Sequence, residues 1–157
     1  MPVKWSVREA RFPEDTDTIR KLMRDYERDM GEKLCLDGFE EELATLPGPY
    51  RRPGGLIVLG YLQQVAVACG CIRPLADRTC EMKRLYVAPE ARGQGIGRAI
   101  VRRLLREARL QGYTEMKLDT LERMEPAIKL YEDMGFQRCA AYHPRPIADV
   151  VYFERVV

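Results

Sequence analysis

Three glycines in five positions, Gly93-Gln94-Gly95-Ile96-Gly97, flanked by Arg92 and Arg98, stand between a β-rich run ending at Val87 and a stretch of helical periodicity. Glycines at a strand-to-helix turn let the backbone approach a ligand closely. The N–H groups of the helix's first turn, aided by its dipole, form a cradle for an anion. The loop therefore fits a phosphate or pyrophosphate. It also fixes topology, because a strand-helix-strand crossover lays its helix over the sheet and places the loop at the carboxyl ends of the strands. No Gly-Lys-Ser/Thr follows, which argues against a nucleoside triphosphate held with Mg²⁺ by a P-loop. A dinucleotide site has to be weighed, since Asp119 lies at a suitable distance downstream to meet a ribose. Against it, the glycines form G-x-G-x-G, five residues from Ala88 to Arg92 precede them, and the chain is too short for two mononucleotide halves.

The rest of the chain frames that step. Trp5 to Arg11 reads as a short strand, and Glu14-Asp15-Thr16-Asp17 supplies acidic and capping residues before Ile19, Leu22, Met23, Tyr26 and Met30 at helical spacing. Phe39 to Leu46 predicts a second helix, ended by Pro47-Gly48-Pro49 and a loop to Gly55 placed to border a site. From Leu56, the runs LIVLGYL, VAVACGCIRPL and CEMKRLYV predict an antiparallel meander. Ile96, Ile100, Val101, Leu104, Leu105 and Ala108 form the apolar stripe of a helix from Gly95 to Leu110. Met116 to Thr120 is a strand, Glu125 to Met134 a helix, and Val150 to Val157 a last strand, with an extra strand near Arg138 to Tyr142. The order describes an α/β fold of the mixed α+β kind. Its twisted, mostly antiparallel sheet of six to seven strands contains one parallel βαβ crossover, with about four helices on both faces.

A chain of 157 residues, 46% apolar and 32% charged, has the balance of one domain spanning residues 1–157 that buries a core without staples. Lys plus Arg number 26 against 24 Asp plus Glu, so there is no electrostatic case for nucleic acid or membrane and the expected partner is small. No run approaches the ~18 apolar residues of a spanning helix, and MPVKWSVREARFPED lacks the apolar core of a signal peptide; the expectation is a cytoplasmic protein. The five cysteines, Cys35, Cys69, Cys71, Cys80 and Cys139, are odd in number and read as reduced thiols. Cys69 and Cys71 share one strand face with no His or second Cys pair near in sequence, so core packing is preferred to zinc and no metal is expected.

The run LYVAPEARGQGIGRAI resembles the central motif of the Gcn5-related N-acetyltransferases, whose pattern of Arg or Gln, two residues, Gly, one residue, then Gly or Ala is met by Arg92-x-x-Gly95-x-Gly97. Downstream, Ala127-x-x-Leu130-Tyr131-x-x-x-Gly135-Phe136 is similar to a second motif of that family. The resemblance extends over nearly the whole chain, to a bacterial-type subgroup whose acceptors are mostly undefined. It implies the family's fold and an acetyl-CoA-dependent N-acetyltransferase. The acceptor would be a small amine, an amino acid derivative or a protein amine, attacking directly through a tetrahedral intermediate. The alternative is a non-catalytic acyl-CoA-binding sensor module, and a homodimer is common in the family. By the same resemblance, backbone groups of Leu85, Tyr86 and Val87 bind the acetyl and pantetheine arm. Arg92, Gly93, Gln94, Gly95, Ile96, Gly97 and Arg98 bind the pyrophosphate. Met124 stands where the family often has an Asn that bonds the cofactor arm.

Acetyl transfer needs a donor for an oxyanion, and the N–H of Val87 at a splayed strand end is the family-derived candidate. Tyr131 matches the family's tyrosine that protonates the leaving sulfur; the plainer reading packs its ring beside Leu130 with the hydroxyl at the surface. Glu81 is the candidate base, although alternation puts Glu81, Lys83, Leu85 and Val87 on one face and a Glu81–Lys83 pair is an equal reading. His143, the only histidine, is of the type that titrates near neutrality but falls in a loop beside Pro144. A solvent route with no dedicated base is a further reading. The arginines at 98, 102, 103, 106 and 109 read as a solvated helix face, with Arg98 placed to meet a phosphate. Acceptor contacts are expected near Tyr50 and His143, with Tyr26, Phe39 and Glu42 as candidates.

Overall fold

The computed structural model describes residues 4–31, 38–144 and 148–157; Cys35 lies outside them. Seven strands join one sheet in the order β1-β2-β3-β4-β5-β7-β6. They are β1 (Trp5–Glu9), β2 (Leu56–Leu62), β3 (Val65–Ala76), β4 (Thr79–Val87), β5 (Glu115–Leu121), β6 (Gln137–Cys139) and β7 (Val150–Val156). Four α-helices accompany them among the described residues: α1 (Thr16–Met30), α2 (Phe39–Ala44), α3 (Ile96–Leu110) and α4 (Glu125–Asp133). The β2-β3-β4 meander is antiparallel, and β4 with β5 forms the parallel pair that the crossover through α3 requires. No described helix is long and apolar enough to cross a membrane.

Two glycines set how α3 meets the sheet. A Cβ on Gly60 would lie 2.8 Å from Ile96 Cγ2, and one on Gly70 2.7 Å from Ile100 Cγ2, so the helix seats directly on the backbone of β2 and β3. Ile96, Ile100, Val101, Leu104 and Ala108 are almost fully buried there, each large aliphatic side chain contributing ~1.5–3 kcal/mol. Cys69 and Cys71, flanking Gly70, point to the opposite face, which α1 and α2 cover. Both are buried free thiols, and burial pushes Cys69 up to about 12, so the pair packs as small hydrophobes.

Strand β4 carries the irregularity that makes the site. Cys69 opposes Tyr86 and Cys71 opposes Lys83, so the single residue Gly70 faces two, Arg84 and Leu85. This is a β-bulge, and Arg84 sits in the left-handed region at φ 60°. The expected alternation breaks there. Leu85 Cδ1 lies near Gly70 and Val87 Cγ2 near Gly97, both on the α3 face, whereas Lys83 and Arg84 look toward α1 and α2. Leu85 and Val87 therefore do not share a face with Glu81 and Lys83.

Candidate active site

Strands β4 and β5 are paired only at Thr79–Glu115, Cys80–Met116 and Glu81–Lys117. Beyond that point they part, and the fork opens into a cavity of about 60 Å³ lined by both strands, by Tyr26 and Met30 of α1, and by Met124, Ala127 and Tyr131. Backbone groups face the fork on the β4 side. Ala88 N–H bonds Val67 O across to β3 at 2.8 Å, so the alternating ladder turns the N–H of Val87 the other way, toward β5. The carbonyl of Val87 accepts a bond from Arg92 Nε at 2.8 Å, which ties the strand end to the glycine loop.

In that loop Gly93 and Gly95 have φ of 78° and 94°, a conformation that a side chain would strain. No side chain caps α3 and no acidic residue occupies its first turn. The first helical bond runs from Ala99 N to Gly95 O, so the N–H groups of Ile96, Gly97 and Arg98 have no partner within the helix. These residues divide by what they offer. The side chain of Ile96 belongs to the core, Gln94 bonds the carbonyl of Glu90, and Arg92 also reaches Asp29 at 2.7 Å. Arg98 is half exposed and lies 3.7 Å from Asp133. Of the other α3 arginines, Arg102, Arg106 and Arg109 are exposed and Arg103 pairs with Glu107.

Tyr131 is buried, and the reading that put its hydroxyl at the surface is wrong. Its ring lies 6.0 Å from that of Phe136 and 6.1 Å from that of Phe153, and the residue lines the fork. Burial raises its phenol well above the usual range, and its hydroxyl makes no hydrogen bond among the described residues. It is a neutral proton donor free to meet an incoming atom.

Glu81, completely buried, anchors a polar cluster at the root of the fork. Arg73 donates to it at 2.9 and 3.0 Å, and Tyr142 at 2.6 Å. His143 Nε2 lies 3.1 Å from Glu81 and 3.3 Å from Asp119, while Lys83 Nζ stands 3.5 Å from Asp119 and 3.9 Å from Glu81. Burial pushes the Glu81 carboxyl upward, but Lys83, the Tyr142 hydroxyl and Arg73 together outweigh it and hold the group below its ordinary range. Glu81 and His143, weighed separately as bases, are thus one hydrogen-bonded pair. The expected Glu81–Lys83 pair exists as the longest contact of the cluster. Ligand atoms of Glu81, Asp119 and His143 lie within 4.8 Å of one another, the spacing of a metal site. Lys83 and Arg73 already balance both carboxylates, which leaves a divalent ion little to neutralise.

The acceptor candidates Tyr26, Phe39 and Glu42 converge on Arg84, which the sequence does not single out. Glu42 takes a bidentate pair from Arg84 Nε and Nη2 at 3.0 and 2.9 Å and a further bond from the buried Tyr50 hydroxyl at 3.1 Å. The Arg84 guanidinium lies 5.5 Å from the ring centroid of Tyr26 and 5.2 Å from that of Phe39. Burial pushes the Tyr26 phenol up to about 12 against the pull of Arg84. Met124 starts α4 without a side-chain cap and presents a thioether to the fork.

Residues 16–136 match the model of the acetyltransferase (GNAT) family. Among curated relatives, an uncharacterized N-acetyltransferase of Schizosaccharomyces pombe is 33% identical over 153 residues, 96% of this chain and 94% of that one. N-acetyltransferase 8B of Rattus norvegicus is 41% identical over 71 residues, which is 45% of this chain and 32% of that protein. The chain thus spans nearly all of the first relative and about a third of the second. Among solved structures, an acetyltransferase of GNAT family from Staphylococcus aureus superposes with a TM-score of 0.81 at 16% identity, covering 98% of this chain and 99% of that one. The PaiA N-acetyltransferase from Thermoplasma acidophilum in complex with coenzyme A gives 0.78 at 16%, again over 98% and 99%. At these identities the structural likeness is one of fold.

Proposed function

The chain belongs to the acetyltransferase (GNAT) family and is an N-acetyltransferase, and we propose that the β4–β5 fork is where it joins acetyl-CoA to an amine acceptor. The observation that carries this reading is the fork itself, which lies between an uncapped, glycine-started helix N-terminus and a buried tyrosine. The free N–H groups of Ile96, Gly97 and Arg98 fit a pyrophosphate, with the Arg98 side chain beside them, and the open edge of Leu85–Val87 fits an extended amide-bearing arm. Acetyl-CoA supplies a thioester: the amine nitrogen gains the acetyl carbon, the carbon–sulfur bond breaks, and one proton passes in net from nitrogen to sulfur. Val87 N–H donates to the oxygen that becomes negative during attack. The Tyr131 hydroxyl hands a proton to the departing sulfur.

The amine's proton leaves through the Glu81–His143 pair. What favours the pair over Glu81 alone is that Arg73, Tyr142 and Lys83 already hold that carboxylate ionised, which makes it a weak base and a good partner for an imidazolium. Met124 replaces any side-chain amide at the mouth, so the arm relies on backbone donors. No step of this reading uses a metal, a nucleic acid, a membrane or a second copy of the chain, and all of it suits a cytoplasmic domain formed by residues 1–157.

The test is thermal. Acetyl-CoA at 100 times its Kd should stabilise the protein by roughly 2.7 kcal/mol, or about 5 to 10 °C in Tm, with no shift from NAD. An unchanged Tm with every acyl-CoA would remove the fork and the glycine loop as the binding site.

A further inference from the structure

We propose that Arg84 reads a carboxylate on the acceptor, so that this enzyme acetylates small amines that also carry an acid group, amino acids being the simplest of that class. The proposal rests on the acetyl-transfer reading above and deepens it. Three observations converge on this residue.

The first is an unmade bond. Arg84 is 6% exposed, and while Nε and Nη2 are spent on Glu42, Nη1 is buried with no hydrogen-bond partner among the described residues. A guanidinium serving only as a brace for α2 would be satisfied by Glu42, and an apolar pair would brace as well. A buried N–H left without a partner is costly, and a ligand oxygen brought to it recovers the loss, the covering ring of Tyr26 or Phe39 shifting to admit it.

The second is position. Arg84 lines the fork, three residues before Val87, and the bulge at φ 60° is what turns it, together with Lys83, toward the α1–α2 side. The rings of Tyr26 and Phe39 hold the guanidinium plane and exclude water from it, a setting in which a charge-assisted bond to a carboxylate is strong. The third is that the wall holds no unpaired anion. Asp119 is the only carboxylate among the residues lining the cavity, and it lies 3.5 Å from Lys83. A neutral amine bearing a carboxylate suits this arrangement, with its nitrogen toward Asp119 and the Glu81–His143 pair. A polyamine would bring an extra charge with no unpaired carboxylate there to meet it. The cavity is also small: 60 Å³ holds about four waters, so the acceptor must be compact near its nitrogen.

The experiment follows CoA thiol release by the full chain at saturating acetyl-CoA. The probes are neutral and basic amino acids, β-alanine and γ-aminobutyrate, each beside its carboxamide, with spermidine as an acid-free amine. At least one acid should be acetylated with kcat/KM about tenfold or more above its carboxamide, because a site built to bond a group discriminates strongly against its loss. In the double variant Glu42→Gln/Arg84→Gln, which removes both charges and leaves no lone buried ion, that ratio should fall toward one while acetyl-CoA still raises Tm. The acid-to-amide ratio of the unaltered protein tests the proposal even if the double variant fails to fold. Carboxamides or spermidine used as well as the acids would overturn it, as would acetyl-CoA stabilisation with no acid turned over. Absence of any acetyl-CoA stabilisation would instead bring down the underlying cosubstrate reading.

Discussion

Phenylalanine at position 131 would keep the ring packed against Phe136 and Phe153 and remove one oxygen, so Tyr131→Phe separates packing from chemistry. A general acid contributes typically 10²–10⁴-fold, and kcat should fall by about 10² or more while Tm and the acetyl-CoA shift stay within error. Stopped-flow or steady-state thiol release decides this, and an unchanged kcat would reduce Tyr131 to a core residue. The position was legible because a sequence motif marks it; its burial was not, because a tyrosine on a helix packs inward or snorkels depending on neighbours such as Phe153, which sits two elements away. Arg84 was illegible for a different reason. Period-two counting along CEMKRLYV has no place for an extra residue, and only the opposing Gly70 hinted that the strand is irregular there. Arg73 and Tyr142 escaped notice as partners of Glu81, and Asp119 as a partner of His143 and Lys83, because strand pairing and a returning loop, not sequence spacing, bring them together.

At the scale of elements, the seat of α3 on the sheet is the feature on which the loop and the fork both depend. Gly70→Ala puts a methyl 2.7 Å from Ile100 Cγ2 and 3.2 Å from Leu104 Cδ1, inside a packed helix–sheet contact. Overpacking of this kind costs ~1–3 kcal/mol, read as a lower urea midpoint at unchanged m-value. A midpoint that did not move would mean α3 rides less tightly than its contacts imply. The elements themselves were largely readable: the three meander runs, the α3 stripe and the parallel crossover fall where periodicity puts them, because alternation and 3.6-residue spacing are local signals. The ends were less so. β1 stops at Glu9 rather than Arg11, since the Arg11 N–H turns to bond Asp15 at 2.7 Å. The strand expected to reach Tyr142 ends at Cys139, because Tyr142 and His143 leave the ladder for Glu81.

Across the described residues, four largely buried carboxylates tie separate parts of the chain together through arginines. Asp15 joins Arg8, Glu42 joins Arg84, Glu81 joins Arg73, and Glu107 joins Arg52 and Arg103. The Arg8 hydrogen bond holds the Asp15 carboxyl below its ordinary range, and in the other three burial acts upward but is outweighed by the partners, leaving each below the ordinary range of a glutamate. A carboxyl whose pKa is depressed on folding contributes stability that is fully present above its unfolded value and is lost as pH falls through the folded one. The unfolded chain therefore binds more protons than the native one in that window. Unfolding free energy from urea melts should be nearly level from pH 7 to about 5.5 and then drop with increasing steepness below about 4.5, by up to ~1.4 kcal/mol per pH unit for each carboxyl that titrates. Glu42→Gln/Arg84→Gln removes one of the four, so its curve should be shallower than wild type over the same range. Parallel curves would show that the Glu42–Arg84 pair adds nothing to acid sensitivity, and hence that its retention in the core owes nothing to charge pairing at this pH.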